Sequence, residues 1–392
     1  MKNQMLSVTI SLFFEDGYGI MSALRETCRR AGCPASGKER SCPMKKKATI
    51  YDIAREADVS TATVTRVVRG DPGVRESTRE KVQRVIDRYA YAPSMSAQNL
   101  ESGRSKTLAV VVPSVSNLYF SRIFDSAYWE AADNGCSVRL FQTKENQAVS
   151  PEIVSELIRC RMDGVLFAGN IWSAERADLN DAMDRLDRYM PVAAICPPGV
   201  ELNCIRIVSD LLNCARLPVR HLHTLGHRRI AFIGGSMHSK DASRRGTVFL
   251  EQLRLLGLPD DPAYHVDAGY DMEGGERAVL RMLSGLERER WPSAIVTFND
   301  LVALGAIRQL KKMGLRLPGE MAIVGCDNQF FCPYVDPPLT SVDLHPAEMA
   351  QSAVRELLLA RESTSRSFSI IRDATLVVRE SCGAALGVRR FE

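Results

Sequence analysis

A chain of 392 residues with 45% hydrophobic and 25% charged content has the make-up of an ordinary globular protein, with length for two or three domains. No apolar run reaches the roughly 18 residues a membrane span requires, and the eleven cysteines are scattered, odd in number and without a CxxC pair, which favours reduced cytosolic thiols over a disulfide framework or zinc site. The net charge of +4 is too small to argue for nucleic acid by itself, but it is concentrated: residues 44–105 hold twelve Lys and Arg against eight Asp and Glu, and the rest is close to neutral.

Residues 1–43 carry one short apolar patch and then a stretch rich in Cys, Gly, Arg and Lys, with no sustained periodicity. Glu15 and Asp16 interrupt the patch and no small-residue cleavage site follows, so it does not read as a signal peptide. Cys28, Cys33 and Cys42 lack a histidine or fourth cysteine at ligand spacing, and no metal is expected there. Met44, followed by Lys45, Lys46 and Lys47, looks like a natural protein start. Residues 1–43 are therefore expected to be an extension that is disordered or foreign to the working protein.

Thr49 to Gly70 is the first patterned stretch. Ile50, Ile53, Ala54 and Ala57 recur at helical spacing, and Val59, Val64, Val67 and Val68 do so on a second short helix. Thr49 with Asp52 resembles a capping box, and Ser60 stands where the second helix needs its N-cap. The spacing predicts a helix-turn-helix, although an ordinary helical hairpin has the same spacing. The second helix turns Thr61, Ala62, Thr65, Arg66 and Arg69 outward with no carboxylate among them, a face suited to a major groove. Gly70 to Gly73 then form a turn, and Ser77 with Glu80 predicts a capping box opening a third helix along Val82, Val85, Ile86 and Tyr89. Residues 44–91 thus read as a small three-helix headpiece, and the polar stretch 92–106 as a linker.

From Thr107 strand-like runs alternate with helical ones: Leu108 onward, Ser137 onward, Gly164 onward, Val192 onward, Ile230 onward, Ala294 onward and Met321 onward. Continuous apolar strands between amphipathic helices imply parallel sheets covered on both faces, and the length suggests two lobes over 107–381 with a tail at 382–392. Ligands in such sheets bind beyond the carboxyl ends of the strands.

Four segments together resemble the lactose-repressor (LacI/GalR) family of transcription regulators, from about Lys45 to Ser381: Thr49 to Gly70 with the helix behind it, the linker ending AQNLESGRS, LGHRRIAFIGG from Leu225, and Phe298 to Asn328. The resemblance implies an all-α helix-turn-helix headpiece joined to an α/β two-lobed, periplasmic-binding-protein-like (type I) effector domain. It implies a homodimer on pseudo-palindromic operator DNA, with Thr61, Ala62 and Arg66 near bases. Thr63, Thr65 and the Lys45 to Lys47 arm would meet phosphates, and Thr49, Tyr51 and Ser60 join the same DNA-binding set. Ser94 to Ser102 corresponds to a hinge helix that folds on DNA; Ser96 and Ala97 lie along it and Leu100 would wedge into the minor groove.

The resemblance also places a small-molecule effector, expected to be a sugar or sugar acid, between the lobes, with Tyr119, Arg245, Tyr270, Asn299 and Asp327 on ligand-contacting positions. For Arg245 the plain alternative is a surface salt bridge, and for Phe120 a place in the core. Asp58 stands where the family commonly has glycine and Arg75 where a Ser or Thr cap is common, which shifts the third helix's cap toward Ser77. Ala168 and Cys196 replace polar residues of some sugar-binding members, so a lactose-like contact set is not reproduced. His221, His223 and His227 lack a completing carboxylate or thiol, and Gly234 with Gly235 lacks the rest of a nucleotide loop. No catalytic motif is present, and neither an enzyme, a cofactor, a metal nor a membrane partner is expected.

Overall fold

The computed structural model of the chain describes residues 48–91, 105–143, 150–169, 176–235, 240–360 and 368–386. The expectations for residues 1–43, the Lys45 to Lys47 arm and the hinge residues Ser96, Ala97 and Leu100 lie outside the described residues. The chain divides into two compact units after Ser94.

In the first unit α1 (Ile50–Glu56), α2 (Thr61–Val68) and α3 (Glu76–Tyr89) enclose a core of Ile53, Ala54, Ala57, Val64, Val67, Val82 and Val85. Thr49 and Asp52 form the expected reciprocal capping box on α1, and the Ser60 hydroxyl accepts from Thr63 N at 3.1 Å to open α2. Between them Asp58 adopts φ 48°, the left-handed conformation that lets Val59 N return to Ala54 O at 3.0 Å. Asp tolerates that region better than most residues, so the turn forms without the family's glycine. Helix three differs from expectation. It starts at Glu76 with Arg75 as a cap that makes no side-chain bond, and Ser77 falls inside its first turn. Packing of Val82 and Val85 therefore sets this helix start more than capping does. Arg88 and Tyr89 both hydrogen-bond the Glu56 carboxylate and so tie α3 back to α1.

The second unit contains two six-stranded sheets. The first has the order β11-β5-β4-β3-β1-β2, formed by β1 (Thr107–Val112), β2 (Ser137–Gln142), β3 (Gly164–Ala168), β4 (Val192–Cys196), β5 (Ile205–Ser209) and β11 (Phe368–Arg372). The second has the order β12-β10-β9-β8-β6-β7, formed by β6 (Ile230–Gly234), β7 (His265–Asp267), β8 (Ala294–Thr297), β9 (Ala322–Cys326), β10 (Thr340–Asp343) and β12 (Thr375–Val377). All neighbours are parallel except β10 and β12. The apolar pattern predicts β1, β2, β3, β4, β6, β8 and β9; β3, β4, β6, β8 and β9 are buried at every residue and β1 at all but Thr107, whereas β2 is largely exposed or half-buried. The pattern does not reveal β5, β7, β10, β11 and β12.

Helices α4 (Leu118–Asp133), α5 (Pro151–Arg159) and α6 (Arg176–Asp187) belong to the first lobe. Helices α7 (Asn213–Thr224), α8 (Lys240–Leu255), α9 (Met272–Ser284) and α10 (Asp300–Lys312) belong to the second. Helix α11 (Pro346–Ala360) follows a strand of the second lobe yet packs on α4 and on β3, β4 and β5 of the first. The chain therefore passes between the lobes three times: from β5 to α7, from β10 to α11 and from β11 to β12. The passages are bonded to one another. Asp210 accepts from Asn213 Nδ2 at 2.5 Å and from Ala374 N at 3.4 Å, and His345 Nε2 lies 2.9 Å from Thr375 Oγ1. Cys382, at the start of the expected tail, is fully buried in the second lobe's core.

Candidate DNA-reading face and effector cleft

On the headpiece, α2 holds Val64 and Val67 in the core, and this fixes which residues face outward. Ala62 and Arg66 are exposed, Thr61, Thr63 and Thr65 are half-buried, and Tyr51 on α1 is exposed. The face thus presents a methyl, short hydroxyls and the Arg66 guanidinium fork, with Arg69 also exposed at the helix end, a set that can pair with base edges in a major groove. Two of the predicted residues also hold the fold. The Thr49 hydroxyl donates to Asp52 Oδ2 at 2.7 Å, and Ser60 Oγ lies 2.9 Å from Thr63 Oγ1 while capping α2. Thr65 Oγ1 donates back to Thr61 O at 3.0 Å. These hydroxyls thus hold the starts of α1 and α2 in place, whereas Arg66 is presented outward.

In the two-lobed unit, the residues just after the strands come together as the strand-end rule requires. Arg245 reaches from α8, donates from Nη1 to Phe298 O at 2.9 Å, and lies 4.3 Å from the centre of the Phe298 ring. At 7% exposed it is not a surface salt bridge. The Tyr270 ring meets Phe298 edge-on at 5.2 Å. Asn299 follows β8 and divides its carboxamide, Oδ1 capping α10 through Val302 N at 2.8 Å and Nδ2 donating to Tyr270 O at 3.0 Å. It therefore holds the cleft wall in place in addition to any contact with ligand.

Asp327 follows β9 with φ 104°, a rare conformation for a non-glycine residue. Burial, and next the charge of Asp300, push its carboxyl well above the ordinary carboxylate range, against the pull of Arg245. The group thus keeps a proton more readily than a surface aspartate and can donate as well as accept toward a hydroxyl-bearing ligand. From the first lobe, Tyr119 at the start of α4 stands close enough for Asp327, Arg245 and Cys214 to act on its acidity, and burial is the main cause that raises it. Its ring packs edge-on against Phe120 at 5.3 Å, and both rings lie against the first lobe's core. The five predicted effector positions are thus linked through their neighbours: Tyr119 lies near Asp327 and Arg245, and Arg245 is joined through Phe298 to Tyr270 and so to Asn299.

Several participants carry no signal in sequence spacing. Phe298 supplies the ring under Arg245, and it reads in the sequence as the end of a strand. Asp300, fully buried, accepts from Ser341 Oγ at 2.6 Å, Gln329 N at 2.8 Å and Cys332 Sγ at 3.2 Å; burial pushes its carboxyl up to about 6. Gly235 is glycine because a Cβ there would lie 2.8 Å from the Tyr270 ring and 3.0 Å from that of Phe298. The glycine pair thus makes room for aromatic rings. The three histidines have separate neighbours, since His221 Nε2 lies 3.3 Å from Cys382 Sγ and His227 Nδ1 lies 2.9 Å from Ser293 Oγ. Among the described residues no three His, Cys, Asp or Glu side chains are grouped to hold a metal ion.

Comparison with known proteins extends these observations. Residues 49–94 match the family described as bacterial regulatory proteins, lacI family, and residues 219–382 match the periplasmic binding protein-like domain. Catabolite control protein A of Priestia megaterium is 30% identical over 83% of this chain and 96% of its own. The HTH-type transcriptional repressor CytR of Escherichia coli (strain K12) is 28% identical over 86% of this chain and 97% of its own. Among solved structures, the lac repressor dimer bound to operator and the anti-inducer ONPF superimposes with a TM-score of 0.75 at 25% identity, covering 86% of this chain and 99% of that one. The transcriptional regulator CelR–cellobiose complex gives 0.58 at 26% identity, covering 85% of this chain and 99% of that one.

Proposed function

The chain belongs to the LacI family of bacterial regulatory proteins, and from that premise we propose that it is a homodimeric repressor whose grip on operator DNA is set by a sugar or sugar acid held between its two lobes. Transcriptional regulation and DNA binding come with the family; no enzymatic step belongs to it. The observation that carries the ligand reading is the convergence of Tyr119, Arg245, Tyr270 and Asp327 at the strand ends. A guanidinium and a carboxyl suit hydroxyl or carboxylate groups, and Tyr270 with Phe298 offers ring faces for the apolar side of a sugar. The similar regulator CelR forms a complex with cellobiose, and this supports the same ligand class here.

In this reading residues 44–91 form the headpiece, 92–106 the hinge and 107–381 the ligand-binding and dimerisation domain. Arg66, Thr61 and Ala62 read bases; Thr63 and Thr65 approach phosphates, with Thr49, Tyr51 and Ser60 in the same DNA-binding set; Ser96, Ala97 and Leu100 engage the minor groove. The three passages between the lobes are the places where a relative rotation is absorbed. A ligand acts only through its different affinity for the two lobe arrangements. The site of action is proposed as the cytoplasm, where operator DNA is found. Among the described residues no helix is long and apolar enough to cross a membrane.

The deciding experiment selects DNA from a random pool with the purified protein and then compares wild type, Arg66→Ala and Leu100→Ala in mobility shifts across a salt series. Sugars and sugar acids are then screened for loss or gain of the shift. Salt-insensitive binding that is unchanged in both variants would overturn the reading.

A further inference from the structure

Cys214 lies in the first turn of α7, immediately after the first passage between lobes, and Cys326 is the last residue of β9. They are separated by 112 positions in sequence, yet their sulfurs lie 3.1 Å apart. Both side chains are buried, at 3% and 1% exposed, and Arg245 Nη1 lies 3.7 Å from Cys326 Sγ. Two thiol sulfurs in contact, one of them against a cation, are within reach of each other for thiol–disulfide chemistry. We propose that Cys214 and Cys326 are a reversible oxidation site, closing to a disulfide when a hydroperoxide reaches the floor of the effector cleft.

The surroundings of the two sulfurs differ. Burial raises the Cys214 thiol, but the S–H donated by Cys326 and the charge of Arg245 outweigh it and bring this thiol below its ordinary value. Cys326 is pushed well above its ordinary value, first by its bond to Cys214 and then by burial. With Cys214 as the attacking sulfur, Cys326 is the resolving one; Arg245 Nη1 touches Cys326, and exchanging the two parts leaves the stoichiometry unchanged. The Cys214 sulfur attacks one peroxide oxygen, the O–O bond breaks, and the departing oxygen takes a proton to leave as water or an alcohol. Cys326 then attacks the sulfenic sulfur; the S–S bond forms, the S–O bond breaks, and the released hydroxide takes the Cys326 proton to leave as water. Two thiols give up two electrons and two protons, and the peroxide accepts them.

The consequence reaches the cleft through Arg245. In the reduced form its guanidinium lies beside a polarisable thiol; in the disulfide that S–H is gone, and α7 is covalently fixed to β9 next to a passage between lobes. By contrast Cys196 and Cys204 are buried apart from any cleft cation, and burial pushes each up to about 12, so they serve as internal controls.

The test treats the reduced, purified full-length protein with hydrogen peroxide, quenches, denatures, alkylates and maps the peptides. Alkylation of Cys214 and Cys326 should fall together at least tenfold, with one cross-linked peptide joining them, restored by dithiothreitol, while Cys196 and Cys204 remain alkylated. In Cys326→Ser or in Cys214→Ser, the remaining cysteine of the pair should instead stay as a sulfenic acid that dimedone captures. Full alkylation of both cysteines after treatment that oxidises the half-exposed Cys160, or their oxidation without the joined peptide, would overturn the proposal. Neither reading of wild-type peptides depends on a variant that folds.

Discussion

Arg245 and Phe298 are joined twice, through a 2.9 Å bond from the guanidinium to the Phe298 carbonyl and through a 4.3 Å approach of the same cation to the ring. The two contacts together hold the guanidinium against the Phe298 backbone and ring. Arg245→Lys keeps the charge but loses the planar fork and the stacking. A ligand that raises the wild-type melting temperature should bind Arg245→Lys roughly ten- to a hundredfold more weakly, the size of about 1.5–3 kcal/mol for one charged hydrogen bond. Isothermal titration with that ligand measures the difference, and equal affinity would remove Arg245 from the site.

Arg66 is exposed on α2 while Val64 and Val67 keep the helix in place, so its removal should leave folding unchanged. Arg66→Ala should weaken the selected operator by about 1–3 kcal/mol and relax preference at one base position per half-site. Binding to unrelated DNA should change far less. Fluorescence anisotropy on the operator and on point-substituted operators separates these effects.

Asp58 occupies the left-handed region at φ 48°, where a side chain costs about 1 kcal/mol more than glycine. Asp58→Gly should therefore raise the headpiece melting temperature, and Asp58→Ala should lower it. Circular dichroism of the full chain, following the headpiece transition, gives the sign of each change.

His227 is 1% exposed, and burial lowers its imidazole to about 4 from an ordinary 6.5. As pH falls below 6.5 the unfolded chain takes up a proton that the folded chain refuses, so stability is lost progressively down to about 4. Asp300 acts the other way in nearly the same window. Its carboxyl, raised from 3.8 to about 6, stabilises the fold increasingly as pH falls through 6. The two largely cancel in the wild type. His227→Gln should therefore gain relative stability as pH drops from 6.5 to 4, by up to about 3 kcal/mol. Urea unfolding of both proteins at several pH values measures it, and parallel curves would show that His227 does not titrate differently in the two states.

Gly305 on α10 lies so close to α9 that a Cβ would come within 1.9 Å of Met272 O. Gly275 on α9 faces α10 in the same way, with Val302 O at 2.2 Å from its would-be Cβ. Gly305→Ala should force the two helices apart and cost about 1–3 kcal/mol or more. Thermal unfolding should show a transition lowered by several degrees, whereas Gly319→Ala, where a Cβ meets nothing nearer than 3.9 Å, should not move it.

What the sequence displays depends on how each element is buried. Strands such as Val192–Cys196, apolar at nearly every position, are visible because both faces are covered. Strand Thr340–Asp343 is buried at every residue although only Val342 is apolar. Its polar groups are satisfied by distant partners: Thr340 N donates to Ser381 Oγ at 2.8 Å, and Ser341 Oγ donates to Asp300 Oδ1 at 2.6 Å. No local window contains such partners. The headpiece is readable for the opposite reason, since capping and turn chemistry act within a few residues. The cleft lies between these cases. Arg245, Asn299 and Asp327 are located by family resemblance and by strand ends, while the contact between Cys214 and Cys326 exists only once β9 and α7 are folded together.

The three passages between the lobes also dictate an order of events during synthesis. The first lobe starts with β1 at Thr107 but receives α11 only at Pro346–Ala360 and its edge strand only at Phe368–Arg372. The second lobe is closed by Thr375–Val377. A nascent chain lacking its last few dozen residues therefore exposes the face that Met349, Ala350, Ala353, Val354 and Leu357 would cover. Its headpiece, by contrast, is already complete by Tyr89. The headpiece emerges from the ribosome early and the elements that complete both lobes emerge last, so a chain that ends between them carries a finished headpiece beside an uncovered core.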